Sequence, residues 1–260
     1  MRLRPCIDIH NGKVKQIVGG SLADRGDRAS NNYISEMGAE YFAALYHERG
    51  LRGGHVILLN PASSPYYEAT LAQALKALSA FPGDLMAGGG INPENAGLFL
   101  DAGASHVIVT SYVFKDGRID YGHLEKMVAA IGRDKLVLDL SCRRSADGYR
   151  IVTDRWQKES SEILSVDLMK ELAGSCSEFL VHAVDVEGKM EGPQKEVVTL
   201  LGEAAGSGIV STYAGGIHNF ADLELIRSCG GGLVDYTIGS ALDLFGGDMA
   251  FEEVVEKYNS

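Results

Sequence analysis

The 260-residue sequence predicts an α/β fold, a single closed (β/α)8 barrel over residues 1–260 built from two similar halves, and three observations carry this. Short apolar runs and amphipathic stretches alternate eight times, which implies a parallel sheet with helices outside it. Eight such units in this length favour a closed ring over an open doubly wound sheet. Three phrases also return about half a chain later. Gly88-Gly89-Gly90-Ile91 recurs as Gly215-Gly216-Ile217, Val109-Thr110-Ser111 as Ile238-Gly239-Ser240, and Cys6-Ile7-Asp8-Ile9 as Val137-Leu138-Asp139-Leu140. Finally, the polar and glycine-rich signals follow strands, at the C-terminal mouth where such barrels hold their sites.

The elements follow in order. Residues 3–9 form a short apolar strand with Asp8 near its end, and His10-Asn11-Gly12 turns the chain. Residues 13–20 read as a second short strand within the loop, and 21–32 as a polar loop. Tyr41, Phe42, Leu45 and Tyr46 recur at helical spacing. The run 55–59 is unbroken and apolar, as expected of a strand buried on both faces. A helix over 67–80 puts Leu71, Leu75 and Leu78 on one face; the strand at Leu85 and a helix with Ala96, Phe99 and Leu100 come next. A strand at 106–110 and a helix near 121–130 close the first half. The second half repeats this order with a strand at 136–139, then a long polar loop with a hairpin reaching Trp156. A helix at 165–173, a strand at 179–184, a helix at 195–205 and a strand at 209–214 follow. The last units are a helix at 220–229, a strand at 234–238 and a helix at 251–258.

Composition narrows the function. An apolar content of 45% suits a large core, and the 32 glycines are scattered at strand ends, where turns and ligands need them. A net charge of −11 argues against nucleic acid, whose phosphates call for a clustered basic surface. Cys6, Cys142, Cys176 and Cys229 are widely spaced and show no CxxC pairing, so neither a zinc site nor a disulfide framework is indicated. A reducing cytoplasm is the expected compartment. Residues 1–5 lead directly into the first strand, so no signal peptide is expected, and no apolar run approaches the roughly 20 residues of a membrane span.

Asp8 and Asp139 end the first and fifth strands, which stand opposite one another in an eight-stranded ring. Two carboxylates facing across a mouth can act as base and acid if their surroundings drive their pKa values apart. Each could equally cap a loop or pair with a cation; their matched positions favour chemistry. Gly89 and Gly90 with Thr110 and Ser111 form one phosphate cradle, and Gly215 and Gly216 with Gly239 and Ser240 a second. The latter matches the recurrent phosphate site after the last two strands of this fold, and its duplicate implies a ligand with two phosphates. His55 and His182 lie on strands, where structural histidines are common, though either could face the mouth. Cys142 has no evident base to make it a nucleophile. Arg143 and Arg144 are either a solvated pair or anion contacts on a loop facing a bisphosphate. Trp156, the only tryptophan, either stacks on a flat substrate ring or packs its loop.

With these residues placed, the chain resembles the phosphoribosylformimino-5-aminoimidazole carboxamide ribotide isomerases of histidine biosynthesis over nearly its whole length, and is most similar to their eukaryotic-style branch. The segment from Cys6 to Gly20, His55-Val56-Ile57, the two glycine phrases, Leu138 to Arg143, Arg155-Trp156-Gln157, His182 to Gly188 and Gly239-Ser240 carry the likeness. The resemblance implies an Amadori rearrangement of an aminoaldose to an aminoketose on a bisphosphate substrate with no metal or organic cofactor; a monomer is expected. It makes Asp139 the general acid that opens the ribose ring and Asp8 the base at C2. Substrate contacts are expected from Gly20, His55, Gly89, Gly90, Thr110, Ser111, Arg143, Trp156, Gly215, Gly216, Gly239 and Ser240. Departures from the bacterial branch are Asn92 in place of an arginine, Leu58 in place of an acidic residue, and Ala183 in place of a threonine. Two rivals share these features: the cyclase subunit of imidazole glycerol phosphate synthase, which needs a glutaminase-docking face, and a phosphate-binding barrel without catalysis.

Overall fold

The computed structural model describes residues 1–18, 21 and 29–259; Gly20 lies outside them. Eight parallel strands form the wall of an α/β barrel: β1 (Cys6–His10), β2 (Gly54–Leu58), β3 (Leu85–Gly88), β4 (Val107–Val109), β5 (Leu136–Asp139), β6 (Glu178–His182), β7 (Ser211–Ala214) and β8 (Asp235–Tyr236). Each pairs with the next in sequence, and a parallel bridge between Leu3 and Tyr236 closes the ring. There the Arg4 N–H donates to the Tyr236 carbonyl at 2.8 Å, and the Tyr236 N–H donates to the Arg2 carbonyl at 3.0 Å. The ring order sets β1 and β5 opposite one another.

The helices α1 (Ala39–Glu48), α2 (Tyr67–Ala80), α3 (Ala96–Asp101), α4 (Tyr121–Ile131), α5 (Val166–Leu172), α6 (Lys195–Ala205), α7 (Phe220–Cys229) and α8 (Phe251–Tyr258) alternate with the strands. Several starts are written locally. Asp120 accepts from the His123 N–H, Ser165 from the Leu168 N–H, and Asn219 forms a capping box with Asp222, satisfying N–H groups that a helix start leaves without partners. Two helix faces differ from the sequence expectation. Tyr41 is exposed, and α1 buries Ala39, Phe42, Ala43 and Tyr46. In α2 the buried residues are Thr70, Ala74, Ala77 and Leu78, while Leu71 and Leu75 are only partly covered. Small side chains let this helix sit close to the sheet, and the leucines fill its flank.

Side chains on a strand alternate, so each wall strand stacks its inward residues along the barrel axis. At the N-terminal end Arg4 bonds Asp235 at 2.9 Å and Glu178 at 3.4 Å. Above them Met86, Ile108, Val137 and Leu180 form an apolar plug with Ile57. Two residues further along the same strands stand Gly88, Thr110, Asp139 and His182, at the mouth. This periodicity also settles the sixth strand: Ala183 is fully buried in the layer between sheet and helices, and the residue facing the mouth is His182.

Three additions decorate the mouth. Lys13–Ile17 pairs antiparallel with β1, and Asn31–Ile34 pairs with Lys13–Ile17, so the stretch read as a polar loop ends in a strand. Phe114–Lys115 and Arg118–Ile119 form a small hairpin after β4. After β5 the expected hairpin is a three-stranded antiparallel sheet of Cys142–Ser145, Gly148–Thr153 and Lys158–Ile163. Its third strand is an edge of mostly polar residues, which carries no alternating apolar signal.

Candidate active site

Two cavities open side by side at the mouth. The narrower, about 440 Å³, is lined by Gly215, Gly216, Gly239, Ser240, Gln16 and His55. The wider, about 940 Å³, is lined by Gly89, Gly90, Thr110, Ser111, Asp139, Arg155 and Trp156, with Ile57, Ile91 and Val152 among its apolar walls. Asp8, His182 and Glu187 border both. Each cavity thus contains one of the two glycine cradles, and the acidic centre lies where they meet.

The cradles repeat one backbone solution. Gly89 and Gly90 have φ of 103° and 69°, and Gly215 and Gly216 have 121° and 77°, a region that favours glycine. A Cβ on Gly89 would overlap the Leu58 carbonyl of the preceding strand, and one on Gly215 would press on the Ala183 carbonyl in the same way. Among the described residues no hydrogen bond engages the N–H groups of Gly90, Ile91, Gly216 or Ile217, so both cradles keep donors available. The side chain of Asn92 is used locally, accepting from the N–H groups of Glu94 and Asn95. Gly239 leaves room for Gln16 to reach into the narrow cavity.

At the centre the two aspartates differ. Burial and the neighbouring Glu187 carboxylate push Asp8 up to about 7, with His182 opposing. Asp139 is also buried, which acts to raise it, yet His182 and hydrogen bonds from Ser141 hold it below the usual carboxylate range. The Ser141 N–H and O–H both donate to Asp139 Oδ1, at 2.7 and 2.6 Å, and the Thr110 hydroxyl donates to Oδ2 at 3.2 Å. His182 Nδ1 lies 3.8 Å from Asp139 Oδ1. Burial disfavours a charged His182, but Asp139, Glu187 and Asp8 outweigh it and raise the imidazole to about 9. His55, its ring 6.1 Å from that of His182, goes the other way: burial and the His182 charge push it down to about 3. Burial raises Glu187.

Trp156 borders the wider cavity, its ring 5.6 Å from His182, and its Nε1–H donates to Ser141 Oγ at 3.1 Å. It sits in a run of left-handed residues, Asp154, Arg155 and Trp156, with φ of 51°, 55° and 66°. Three consecutive non-glycine residues in that region store backbone strain, often found where a loop is built around a site. Arg143 lies outside both cavity linings. Its Nε faces Asp185 at 3.4 Å and its Nη2 donates to the Trp156 carbonyl at 3.5 Å, so it braces the loop from behind. Arg155 is the arginine on the cavity wall. Cys142 is fully buried and its thiol is pushed up by burial, leaving it inert.

Sequence reasoning missed Ser141, Glu187, Arg155 and Gln16, and left His182 undecided. A period-2 reading of β6 from Leu180 would have placed His182 in the mouth. Ser141 has no signal of its own, since its role comes from Trp156 folding back across the strand.

Residues 2–248 match the family described as "Histidine biosynthesis protein". The chain is 50% identical over 263 residues to 1-(5-phosphoribosyl)-5-((5-phosphoribosylamino)methylideneamino)imidazole-4-carboxamide isomerase HISN3, chloroplastic, of Medicago truncatula, covering 100% of this chain and 82% of that one. It is 45% identical over 259 residues to the isomerase of the same name in Neurospora crassa, covering 98% of this chain and 97% of the relative. The Saccharomyces cerevisiae isomerase is 41% identical over 254 residues, covering 95% and 94%.

Proposed function

The chain belongs to the histidine biosynthesis protein family, and from that premise we propose that it is the sugar isomerase of that pathway. It converts phosphoribosylformimino-5-aminoimidazole carboxamide ribotide to its phosphoribulosyl isomer by an Amadori rearrangement. The observation that carries the reading is the mouth itself: two glycine cradles, one per cavity, flank a centre holding Asp8 and Asp139. A substrate with a phosphate at each end would span them and leave its reacting sugar carbons at that centre.

The chemistry divides between the two sides. An acid on the Asp139 side protonates the ring oxygen and opens the sugar to a Schiff base. Asp8, raised toward neutrality, is placed to take the proton from C2, since a general base works best with a pKa near the working pH. The enolamine then becomes the ketone. Gly89, Gly90, Thr110 and Ser111 bind one phosphate and Gly215, Gly216, Gly239 and Ser240 the other. Trp156 offers a face to the flat heterocycle in the wider, more apolar cavity. No helix among the described residues is long and apolar enough to cross a membrane. A single-domain monomer in a reducing compartment such as the cytoplasm fits the four free thiols.

The test is a direct assay of the purified chain with this substrate, coupled to the synthase that consumes the product and without added metal. Turnover is expected, and Asp8→Asn should stay folded while losing about a hundredfold to ten-thousandfold in kcat. Ammonia-dependent cyclisation in place of isomerisation, or binding without turnover, would reject the proposal.

A further inference from the structure

We propose that the proton which opens the sugar ring is carried by the His182 imidazolium, and that Asp139 acts through it as the group that keeps it charged and aimed. This rests on the isomerase reading and assigns the acid within that site.

The hydrogen bonds around Asp139 leave it poorly suited to hold a proton itself. An indole N–H can only donate, so Ser141 Oγ must accept from Trp156 Nε1 at 3.1 Å. The single hydroxyl proton of Ser141 is then free to go to Asp139 Oδ1, at 2.6 Å. With the Ser141 N–H on the same oxygen and the Thr110 hydroxyl on the other, Asp139 receives three hydrogen bonds. Such an arrangement favours the carboxylate over the carboxylic acid.

The same logic fixes His182. Its Nδ1 faces Asp139 Oδ1 at 3.8 Å and Ser141 Oγ at 3.4 Å, the latter with its proton already committed, so Nδ1 bears a hydrogen. Nε2 has no hydrogen-bond partner among the described residues, and His182 borders both cavities, whereas Asp139 borders only the wider. The charged groups facing the ring are Asp139 from β5, Asp8 from β1 and Glu187 from the loop after β6. His55 from β2 stays neutral through burial. A cation facing three acidic groups, with 12% of its side chain exposed to screening solvent, is the favoured state. The elevated imidazole, about 9, agrees with this.

The step balances. The Nε2 proton passes to the ring oxygen, the C1–O bond breaks with its electron pair on that oxygen, and the nitrogen lone pair forms the protonated C1=N bond. Asp8 removes the C2 proton, giving the enolamine. As C1 takes a proton from Asp8, the neutral imidazole takes the C2 hydroxyl proton and the ketone forms, restoring both groups.

Nitrogen NMR of the full chain, with His182 assigned through His182→Gln, reads the proton directly. The expected result is an imidazolium at neutral pH in the wild type that becomes neutral in Asp139→Asn. In kinetics, His182→Gln should lose about a hundredfold or more in kcat with little change in KM. Asp139→Asn should retain some turnover, with the alkaline limb of its pH profile moved to lower pH. A neutral His182 in the wild type, or kcat in a folded His182→Gln within tenfold of wild type, overturns the proposal and returns the acid role to Asp139. A wild type that binds the substrate without isomerising it overturns the function, and this inference with it.

Discussion

At Asp8 the proposed function and stability pull apart. Its carboxyl rises from an ordinary 3.8 to about 7 because burial and Glu187 disfavour the charge, so the native state holds the proton more tightly than the unfolded chain. The stabilisation is complete below about pH 4 and is lost as pH rises through about 7. Asp8→Asn removes the charge while keeping the shape. It should therefore be more stable than wild type at alkaline pH, by on the order of 2–4 kcal/mol, and nearly equal to it near pH 4. Urea unfolding at the two pH values measures this; a variant less stable than wild type at alkaline pH would mean that neighbours compensate the carboxylate. The aspartates were legible in the sequence because duplication printed them twice. His182, Glu187 and Ser141 were not, because their meaning lies in contacts between β5, β6 and the loop that carries Trp156.

Among the elements, the two cradles predict different costs at adjacent glycines. A methyl group on Gly89 would run into the Leu58 carbonyl at a φ of 103°, so β2 and β3 would have to move. At Gly90 the space is open and only the φ of 69° resists, a cost of about 1–2 kcal/mol. Gly89→Ala should accordingly destabilise the fold more than Gly90→Ala in thermal unfolding, while both raise KM if, as proposed, these donors hold a phosphate. Equal melting temperatures for the two would contradict the geometry. Helices with a strong amphipathic period, such as α6 and α8, were legible to their ends in the sequence. The added strands at the mouth were not: Asn31–Ile34 contributes mainly Tyr33, against Phe245 at 5.7 Å, and Lys158–Ile163 is an edge of polar residues. Such strands are held by pairing to a neighbour, which leaves no periodicity to read.

For the whole molecule, the doubled phrases announce two halves but say nothing about how the ring closes. Closure depends on residues that do not repeat. Leu3 bridges Tyr236, and below that seam Arg4 lies in the barrel floor with only 8% of its side chain exposed, between Asp235 and Glu178 at 5% and 9%. Glu178 is raised by burial even with Arg4 beside it, and Arg4 is the guanidinium that joins Glu178 to Asp235, which Arg2 also holds. The backbone is shaped to admit it, since a Cβ on Gly53 would overlap the Arg4 head group. Replacing Arg4 by Met keeps the apolar stem and removes the charge, leaving Glu178 without its ion-pair partner and Asp235 with the half-exposed Arg2, 2.9 Å away. The expected loss is about 3–5 kcal/mol, as when one partner of a buried ion pair is deleted. It should shrink toward acid pH as Glu178, raised by burial, takes up a proton and no longer needs a cation. Because the apolar plug of Met86, Ile108, Val137 and Leu180 separates this floor from the mouth, kcat measured well below the melting temperature should be unchanged. Chemical denaturation at two pH values, with kcat measured on the same samples, checks both halves of the argument. A fall in kcat without a fall in stability would mean that the floor and the mouth communicate through that plug.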